Sequence, residues 1–316
     1  MIDGFQRRAL ACCATVALPL LVAACGPADA SRPRQRLTVV MHPAQGERIA
    51  AALKRVLERA LPATDVVIHE ETRQLEIVSA LQDGRADIAF AYADIAYAAY
   101  AGQLADRSFD RLRGIATLNT SPVYVLVRTD SKIHDLDDLR GRRVSLGLPG
   151  TRTAVTVQTV LDAFGADVIQ SQDTFLDALE RLEAGTVDAV FAVGGYDPIE
   201  RLQAGINSGH VRLLSLSQAT TGRLRREHPF LHPLVISHGP YQSSPLLTIG
   251  VDRVLLCRDA IDRGVVYRVA QAFFDALPEL SAADQQLRQM DVADTPGTPV
   301  PLHEGAARYY RDQEQM

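Results

Sequence analysis

The sequence predicts an α/β fold of two similar lobes facing each other across a cleft, and three observations predict it. First, one signature occurs twice. Leu81-Gln-Asp-Gly84-Arg-Ala-Asp87-Ile-Ala-Phe90-Ala91 is matched in register by Leu182-Glu-Ala-Gly185-Thr-Val-Asp188-Ala-Val-Phe191-Ala192. Each copy reads as a helix end, a glycine stop and a short buried strand. Second, short apolar runs alternate with segments of helical periodicity on either side of residue 129, the pattern of parallel sheets flanked by helices. Third, two apolar extended stretches, 121–128 and 246–258, can carry the chain from one lobe to the other and back.

The elements follow in order. Residues 37–41 form an apolar strand, and 48–61 place Ile49, Leu53, Val56 and Leu57 on one helical face. Residues 66–69 are a second strand, 75–81 a helix and 86–91 a third strand. Asp94 is placed to cap a helix that runs to about residue 100 and stops at Gly102. After the strand at 121–128 and a polar loop at 129–138, the alternation restarts. Strands are expected at 143–148, 168–172, 187–193 and 211–216, with helices at 153–164, 175–184 and 198–204. Residues 263–277 form an amphipathic helix with Val266, Val269, Ala270, Phe273 and Phe274 inward. A Pro-rich tail at 296–301 leads to a short final helix around Tyr309 and Tyr310. These readings place lobe 1 at 37–128 plus 244–316 and lobe 2 at 129–243.

Composition bounds what such a chain can be. Of its 316 residues 47% are apolar and 22% charged, enough for real cores in one or two domains. A net charge of −5 argues against nucleic acid as a partner. Arg7-Arg8 followed by the apolar run 9–24 has the form of a signal peptide and is too short to span a bilayer. The run closes on Leu21-Val22-Ala23-Ala24-Cys25, which resembles a bacterial lipobox. Such a signal implies cleavage after residue 24, a lipid on Cys25 and a membrane-anchored, extracytoplasmic protein on a tether at 25–36; the alternative is a plain secretory signal with a chance cysteine. Cys12 and Cys13 fall in the signal, so Cys257 is left without a disulfide partner and reads as a buried thiol.

Open parallel sheets bind ligands beyond the carboxyl ends of their strands. That rule nominates Tyr92-Ala93-Asp94, Pro149-Gly150-Thr151-Arg152-Thr153 and Gly194-Gly195-Tyr196. At these residues the chain resembles the TAXI family, the TRAP-associated extracytoplasmic immunogenic solute receptors. The likeness is carried by Gly84-Arg-Ala-Asp-Ile-Ala-Phe-Ala-Tyr-Ala-Asp-Ile-Ala-Tyr97, Leu112-Arg-Gly-Ile-Ala116, Leu136-Asp-Asp-Leu-Arg-Gly141 and Val144-Ser-Leu-Gly-Leu-Pro-Gly150. It continues through Val187-Asp-Ala-Val-Phe191, His228-Pro-Phe230 and Pro301-Leu-His-Glu-Gly-Ala-Ala-Arg-Tyr-Tyr310. The resemblance implies a type II-like periplasmic binding protein with two hinge strands. It also implies a small, carboxylate-bearing solute such as an amino acid or organic acid, delivered to a TRAP permease. Three departures fall at the cleft. The loop after the first strand is short and lacks a tyrosine, Tyr92-Ala93-Asp94 stands where the family commonly has Gln-Ser-Asp, and Pro149-Gly-Thr-Arg152-Thr153 replaces Pro-Gly-Ser-Gly-Thr.

Each candidate has a ligand role and a structural one. Thr151 and Thr153 open a helix whose free N–H groups suit an anion, or one of them simply caps it. Arg152 either clamps a carboxylate bidentately or points to solvent. Tyr92 walls the cleft or packs at a strand end. Asp94 fits a helix cap better than a ligand contact. Gly194-Gly195 let backbone approach a solute or make a tight turn. Ser121 and Gln45 are further cleft candidates. His228 and His232 have tempting spacing, but Pro229 and Pro233 argue against a metal pair. Asp87 and Asp188 read as turn hydrogen-bonders rather than catalysts. Without a nucleophile elbow, phosphate loop or His-Glu-x-x-His, neither an enzyme nor a cofactor is expected. A ligand-sensing subunit for a membrane signalling protein is the competing reading to a transport receptor.

Overall fold

A computed structural model describes residues 35–314 apart from 105–106, 195–199, 229 and 238–243. The expected signal peptide, Cys25, nearly all of the tether, Gly195 and Tyr196 lie outside the described residues. The first lobe starts with β1 (Gln35–Met41), α1 (Glu47–Ala60), β2 (Thr64–Glu70), α2 (Gln74–Gln82), β3 (Ile88–Tyr92) and α3 (Ala93–Tyr100). β1 lies parallel between β2 and β3. α1 holds to the sheet through Ile49, Ala52, Leu53, Val56 and Leu57, the i, i+3, i+4, i+7 stripe that its sequence announces. The second lobe contains β5 (Arg143–Ser145), α4 (Arg152–Phe164), β6 (Ile169–Ser171), α5 (Phe175–Glu183), β7 (Ala189–Val193), α6 (Glu200–Asn207), β8 (Val211–Leu213) and α7 (Gln218–Glu227).

Two long strands run through both lobes. β4 (Leu112–Arg128) and β10 (Leu246–Arg258) pair antiparallel along residues 112–123 and 249–258. Past that overlap β4 pairs with β7 and β8, while along its other edge β10 pairs with β3 at one end and with β9 (Leu231–Ile236) at the other. The sheet order is β2-β1-β3-β10-β4-β7-β5-β6, with β8 on β4 and β9 on β10. The chain ends with α8 (Arg263–Asp275), α9 (Leu277–Ala283) and α10 (Glu304–Glu314). α10 returns to the first lobe, where the Tyr310 hydroxyl donates to the Ile115 carbonyl at 3.0 Å and burial pushes its pKa up to about 12.

The repeated signature folds the same way twice. Gly84 and Gly185 each take φ +72, a conformation open to glycine, and stop α2 and α5. The aspartates do more than close a turn. Asp87 N–H donates to Thr38 O at 2.8 Å while its carboxylate accepts Thr38 N–H at 2.8 Å; Asp188 does the same to Arg143, again at 2.8 Å both ways. Each aspartate thus bolts its strand to the neighbouring parallel strand at the amino end. An arginine then covers it, Arg258 over Asp87 and Arg143 over Asp188.

Two expectations need correction. β4 begins at Leu112 rather than 121, because residues 112–120 pair with the far half of β10. α7 and β9 are additional elements. α7 is polar and buries only Thr220, Thr221 and Leu224, so its periodicity is faint, although Ser217 caps it by accepting Thr220 N–H. β9 tolerates Pro233 because it pairs on one side only, with β10. His232 Nε2 meets Asp252 Oδ2 at 2.6 Å, and Asp252 Oδ1 accepts the Thr120 hydroxyl at 2.7 Å. One carboxylate thereby joins β4, β9 and β10 where the strands pass between lobes.

The Asp252 hydrogen bond raises the His232 pKa above its ordinary value, against burial and Arg225, with Asp294 adding to the rise. A raised folded-state pKa contributes stability that is complete below the unfolded value near 6.5 and lost as pH climbs through the folded one. Urea unfolding should therefore give a lower midpoint above that window than below it, and His232→Gln should flatten the difference. An unchanged slope in the variant would assign the pH dependence to other groups.

Candidate functional site

The residues that sequence placed beyond the strand ends do converge, through α3 and α4. β3 runs into α3 without a loop. Tyr92 therefore occupies the N-cap position, with no side-chain cap bond, and Asp94 falls in the first turn instead of capping it. From there Asp94 is fully buried. Its Oδ1 accepts Ile95 N–H at 2.8 Å and its Oδ2 accepts the hydroxyl of Thr156 on α4. Apolar packing accompanies this polar tie: a single buried cluster includes Ala93, Ile95, Ala96 and Ala99 of α3 with Val157, Val160 and Leu161 of α4. Ala93 belongs to that core. The lobes therefore touch across the cleft.

α4 begins after the turn Gly147-Leu148-Pro149-Gly150, in which both glycines have positive φ. The Thr151 hydroxyl accepts Ala154 N–H and donates to Leu148 O at 2.7 Å, so it is spent as a cap. A Cβ on Gly147 would meet Thr153 Cβ at 3.3 Å, which places the Thr153 side chain over the turn. The free helix residue is Arg152. Its Cζ lies 3.7 Å from the centroid of the Tyr92 ring, close enough for a cation–π stack. Its Nε and Nη2 are shut off from water and have no hydrogen-bond partner. Burial pulls its pKa down, Tyr92 and Asp94 hold it up, and the nearby Arg253 pulls it down further. Asp94 is pushed up by burial, against the Thr156 hydrogen bond and the Arg152 charge.

Gln45 ends a single 3-10 turn after β1, where His42 Nδ1 accepts Ala44 N–H at 3.0 Å. Both its amide oxygen and its amide nitrogen are buried without partners. Leaving such groups unmet costs about 1–3 kcal/mol each, and more for a charged one. β1 and β3 are adjacent parallel strands, so Gln45 and Tyr92 leave the same edge of the sheet. Ser121 is buried in β4 opposite Val251 of β10, at the crossing between lobes. Gly194 N–H donates to Pro122 O at 3.2 Å, which ties the end of β7 to β4.

Sequence reading missed three residues here. Thr156 lies one helical turn beyond Arg152, on the same face. Arg253 is opposite Tyr92 in the β3–β10 register and is 2% exposed; its Nη2 stands 2.6 Å from Asp284 Oδ2, an ion pair whose angles are poor for a hydrogen bond. A charged Asp252-Arg253 pair inside an apolar run was the available signal, since buried charges are normally paired. Gln74, at the start of α2, is 3% exposed with Oε1 unmet. A surface concavity lies at the opposite, amino-terminal ends of β1 and β2, between Gln35, Asp87 and Arg258. Asp87 and Arg258 in its wall already satisfy each other, so the chemistry points to the carboxyl ends instead.

The family described as NMT1-like matches residues 44–313. Among solved structures, XAC2383 from Xanthomonas citri bound to ATP shares 13% identity at a TM-score of 0.56, over 89% of this chain and 98% of that one. A TctC solute-binding protein from Polaromonas, solved without ligand, shares 16% at a TM-score of 0.52, over 90% and 99%. At such identities the likeness establishes the fold: a two-lobed α/β structure of the type II periplasmic binding protein kind.

Proposed function

This chain belongs to the NMT1-like family, and on that footing we propose that it is an extracytoplasmic solute receptor. It captures a small, carboxylate-bearing solute between its lobes. The observation that carries the reading is Arg152, whose guanidinium is buried between the lobes against Tyr92 with two N–H groups unmet. A side chain left in that state is stabilised by an anion that fits it. The ordered likeness to TAXI receptors supports delivery to a TRAP permease, and the lipobox-like Leu21-Val22-Ala23-Ala24-Cys25 supports anchoring through a lipid on Cys25.

Thermal-shift titration of the purified protein against carboxylates, amino acids and aromatic acids tests capture. A solute at about a hundred times its Kd should stabilise the fold by about 2.7 kcal/mol. No stabilisation across the panel would count against a receptor. Labelling with a radioactive fatty acid tests the anchor: the label should enter the wild-type chain and be absent from Cys25→Ala. Loss of solute uptake on deleting a neighbouring TRAP permease would support delivery, whereas a neighbouring sensor kinase that responds to the same solute would favour sensing.

A further inference from the structure

We propose that capture of an anionic solute is coupled to proton uptake by Asp94: the site takes in a monocarboxylate and a proton together, and holds the solute more tightly at lower pH. The proposal rests on the receptor reading and adds a regulation of that same site.

Where α3, α4 and β10 meet, four side chains have charged atoms shut off from water: Arg152, Arg253, Asp94 and Asp284. The two arginines are near enough to repel each other, and Arg253 stands 2.6 Å from Asp284. Asp94 and Arg152 balance each other through space rather than through a shared hydrogen bond, because the Asp94 oxygens accept Ile95 N–H and the Thr156 hydroxyl. As ionised groups the four cancel. An incoming carboxylate adds a negative charge to that balance, whichever arginine it meets. Unbalanced charge away from water is costly, and the usual relief is a change of protonation.

Asp94 is the group placed to supply it. The arginines already carry their protons, and Asp284 keeps its ion pair. Asp94 depends on Arg152, the charge that the solute offsets. Burial already pushes its carboxyl up, against the Thr156 hydrogen bond and the Arg152 charge. Weakening the Arg152 field pushes it up further. Both hydrogen bonds survive the proton, since the Thr156 hydroxyl can turn to accept from the new O–H while Oδ1 keeps the Ile95 amide. Asp94 is wholly buried at the contact between α3 and α4, so the proton enters from water by the same parting of the lobes that admits the solute.

The other ionisable groups on the elements packed against α3 are already engaged or lie at the surface. β3 brings Tyr92, whose ring lies against the Arg152 guanidinium. β10 brings Asp252, matched by His232 and Thr120. α2 brings Glu76, paired with Arg73 and Arg85, and α4 carries Asp162, exposed near its far end. On α3 itself the Tyr97 ring leans on Phe230, with His228 beyond it. His228 and His232 are therefore the controls.

Calorimetric titration of the intact protein tests this, with the monoanions acetate, lactate, benzoate and glutamate as probes. A carboxyl whose pKa rises on binding supplies extra affinity that is complete below its free value and lost as pH climbs through its bound one. Between about pH 5.5 and about pH 8.5, where the probe carboxylates stay ionised, affinity should fall by at least about tenfold. At the steepest point, heats measured in Bis-Tris and in Tris, whose ionisation enthalpies differ, should report uptake of about half a proton or more. Neither buffer brings a competing carboxylate, phosphate or sulfonate. Asp94→Asn keeps both hydrogen bonds and copies the protonated form, so it should hold the acid-side affinity at every pH and take up no proton. Thr156→Val strips a hydrogen bond from the carboxylate and should move the fall to higher pH, which keeps the test decisive if Asp94→Asn does not fold. Binding without proton uptake, or with release, would overturn the proposal and leave the receptor reading intact. So would a fall that survives in Asp94→Asn, or one that vanishes in His228→Gln or His232→Gln. Silence from every probe would bring down both.

Discussion

Arg152→Met is expected to make the ligand-free protein more stable while abolishing its response to carboxylates. The guanidinium is held between the lobes with Nε and Nη2 dry and unmet, a state that costs folding free energy. Methionine has similar length and no polar atoms, and its thioether can lie on the Tyr92 ring in place of the cation. Replacing buried ionic groups by apolar side chains of similar volume ranges from neutral to a gain of about 1–4 kcal/mol, and no direct partner of Arg152 is stranded by the change. The lost cation–π contact returns about 0.5–2 kcal/mol of that, which leaves a net gain of about 1 kcal/mol or slightly more. The gain should depend on pH. Burial already raises the Asp94 pKa, and without Arg152 it rises further. A carboxyl raised in the folded state binds its proton more tightly there than when unfolded, so stability falls as pH climbs from the unfolded value near 3.9 to the folded one. The variant's advantage should therefore be largest on the acidic side and smaller at neutral pH. Denaturant midpoints across pH, read beside thermal shifts with a bound carboxylate, check both parts. A variant less stable than wild type at every pH would mean that the guanidinium is satisfied in the folded protein.

The fold was more legible than the site, for a physical reason visible in particular residues. Ile49, Leu53, Val56 and Leu57 repeat at helical spacing, and Phe90 and Phe191 end matched runs, because burial of apolar surface imposes period on sequence. The site has no period. Its position came through, since β1 and β3 end at Met41 and Tyr92 on the side where the oppositely running β7 comes to meet them at Val193, so the residues that follow face one another from the two lobes. What each residue does there did not. Thr151 and Arg152 are neighbours in a loop-to-helix junction, yet one is consumed by a cap and the other keeps two open donors. That difference is set by how α4 meets α3, a contact between residues sixty positions apart, exemplified by Asp94 and Thr156. Asp94 looked like a cap because a loop was assumed before the helix; β3 continues into α3 without one, which turns the carboxylate inward. α7 escaped notice because three buried side chains leave too little pattern to read.

The repeat that first indicated two lobes gives the second large expected effect. In Asp87→Ala, Thr38 N–H loses its acceptor, and Arg258 loses the oxygen that meets its Nε at 2.9 Å and its Nη2 at 2.7 Å. Charge-assisted hydrogen bonds contribute about 1.5–3 kcal/mol each, and the Asp87 side chain is only 15% exposed, so a loss of about 3 kcal/mol is expected. Asp188→Ala removes the matching bolt and the bidentate contact with Arg143, but Arg143 is 43% exposed; screening by water brings that expectation nearer 2 kcal/mol. Asn at either position keeps an oxygen for the backbone N–H and should recover about half of the loss. Acid unfolding separates the charge from the bolt at Asp188. The Arg143 hydrogen bonds hold its carboxyl below the ordinary range, so the stability it supplies is present above about pH 4 and lost as pH falls through the folded value. Asp188→Asn should flatten that limb. Both aspartates stand at the amino ends of their strands, with the length of the sheet between them and Arg152. Destabilised variants that still fold should therefore keep the wild-type order of carboxylate affinities; a changed order would place the bolts in the binding machinery, against the division of labour in which the repeat fastens the lobes and the residues beyond its far end meet the solute.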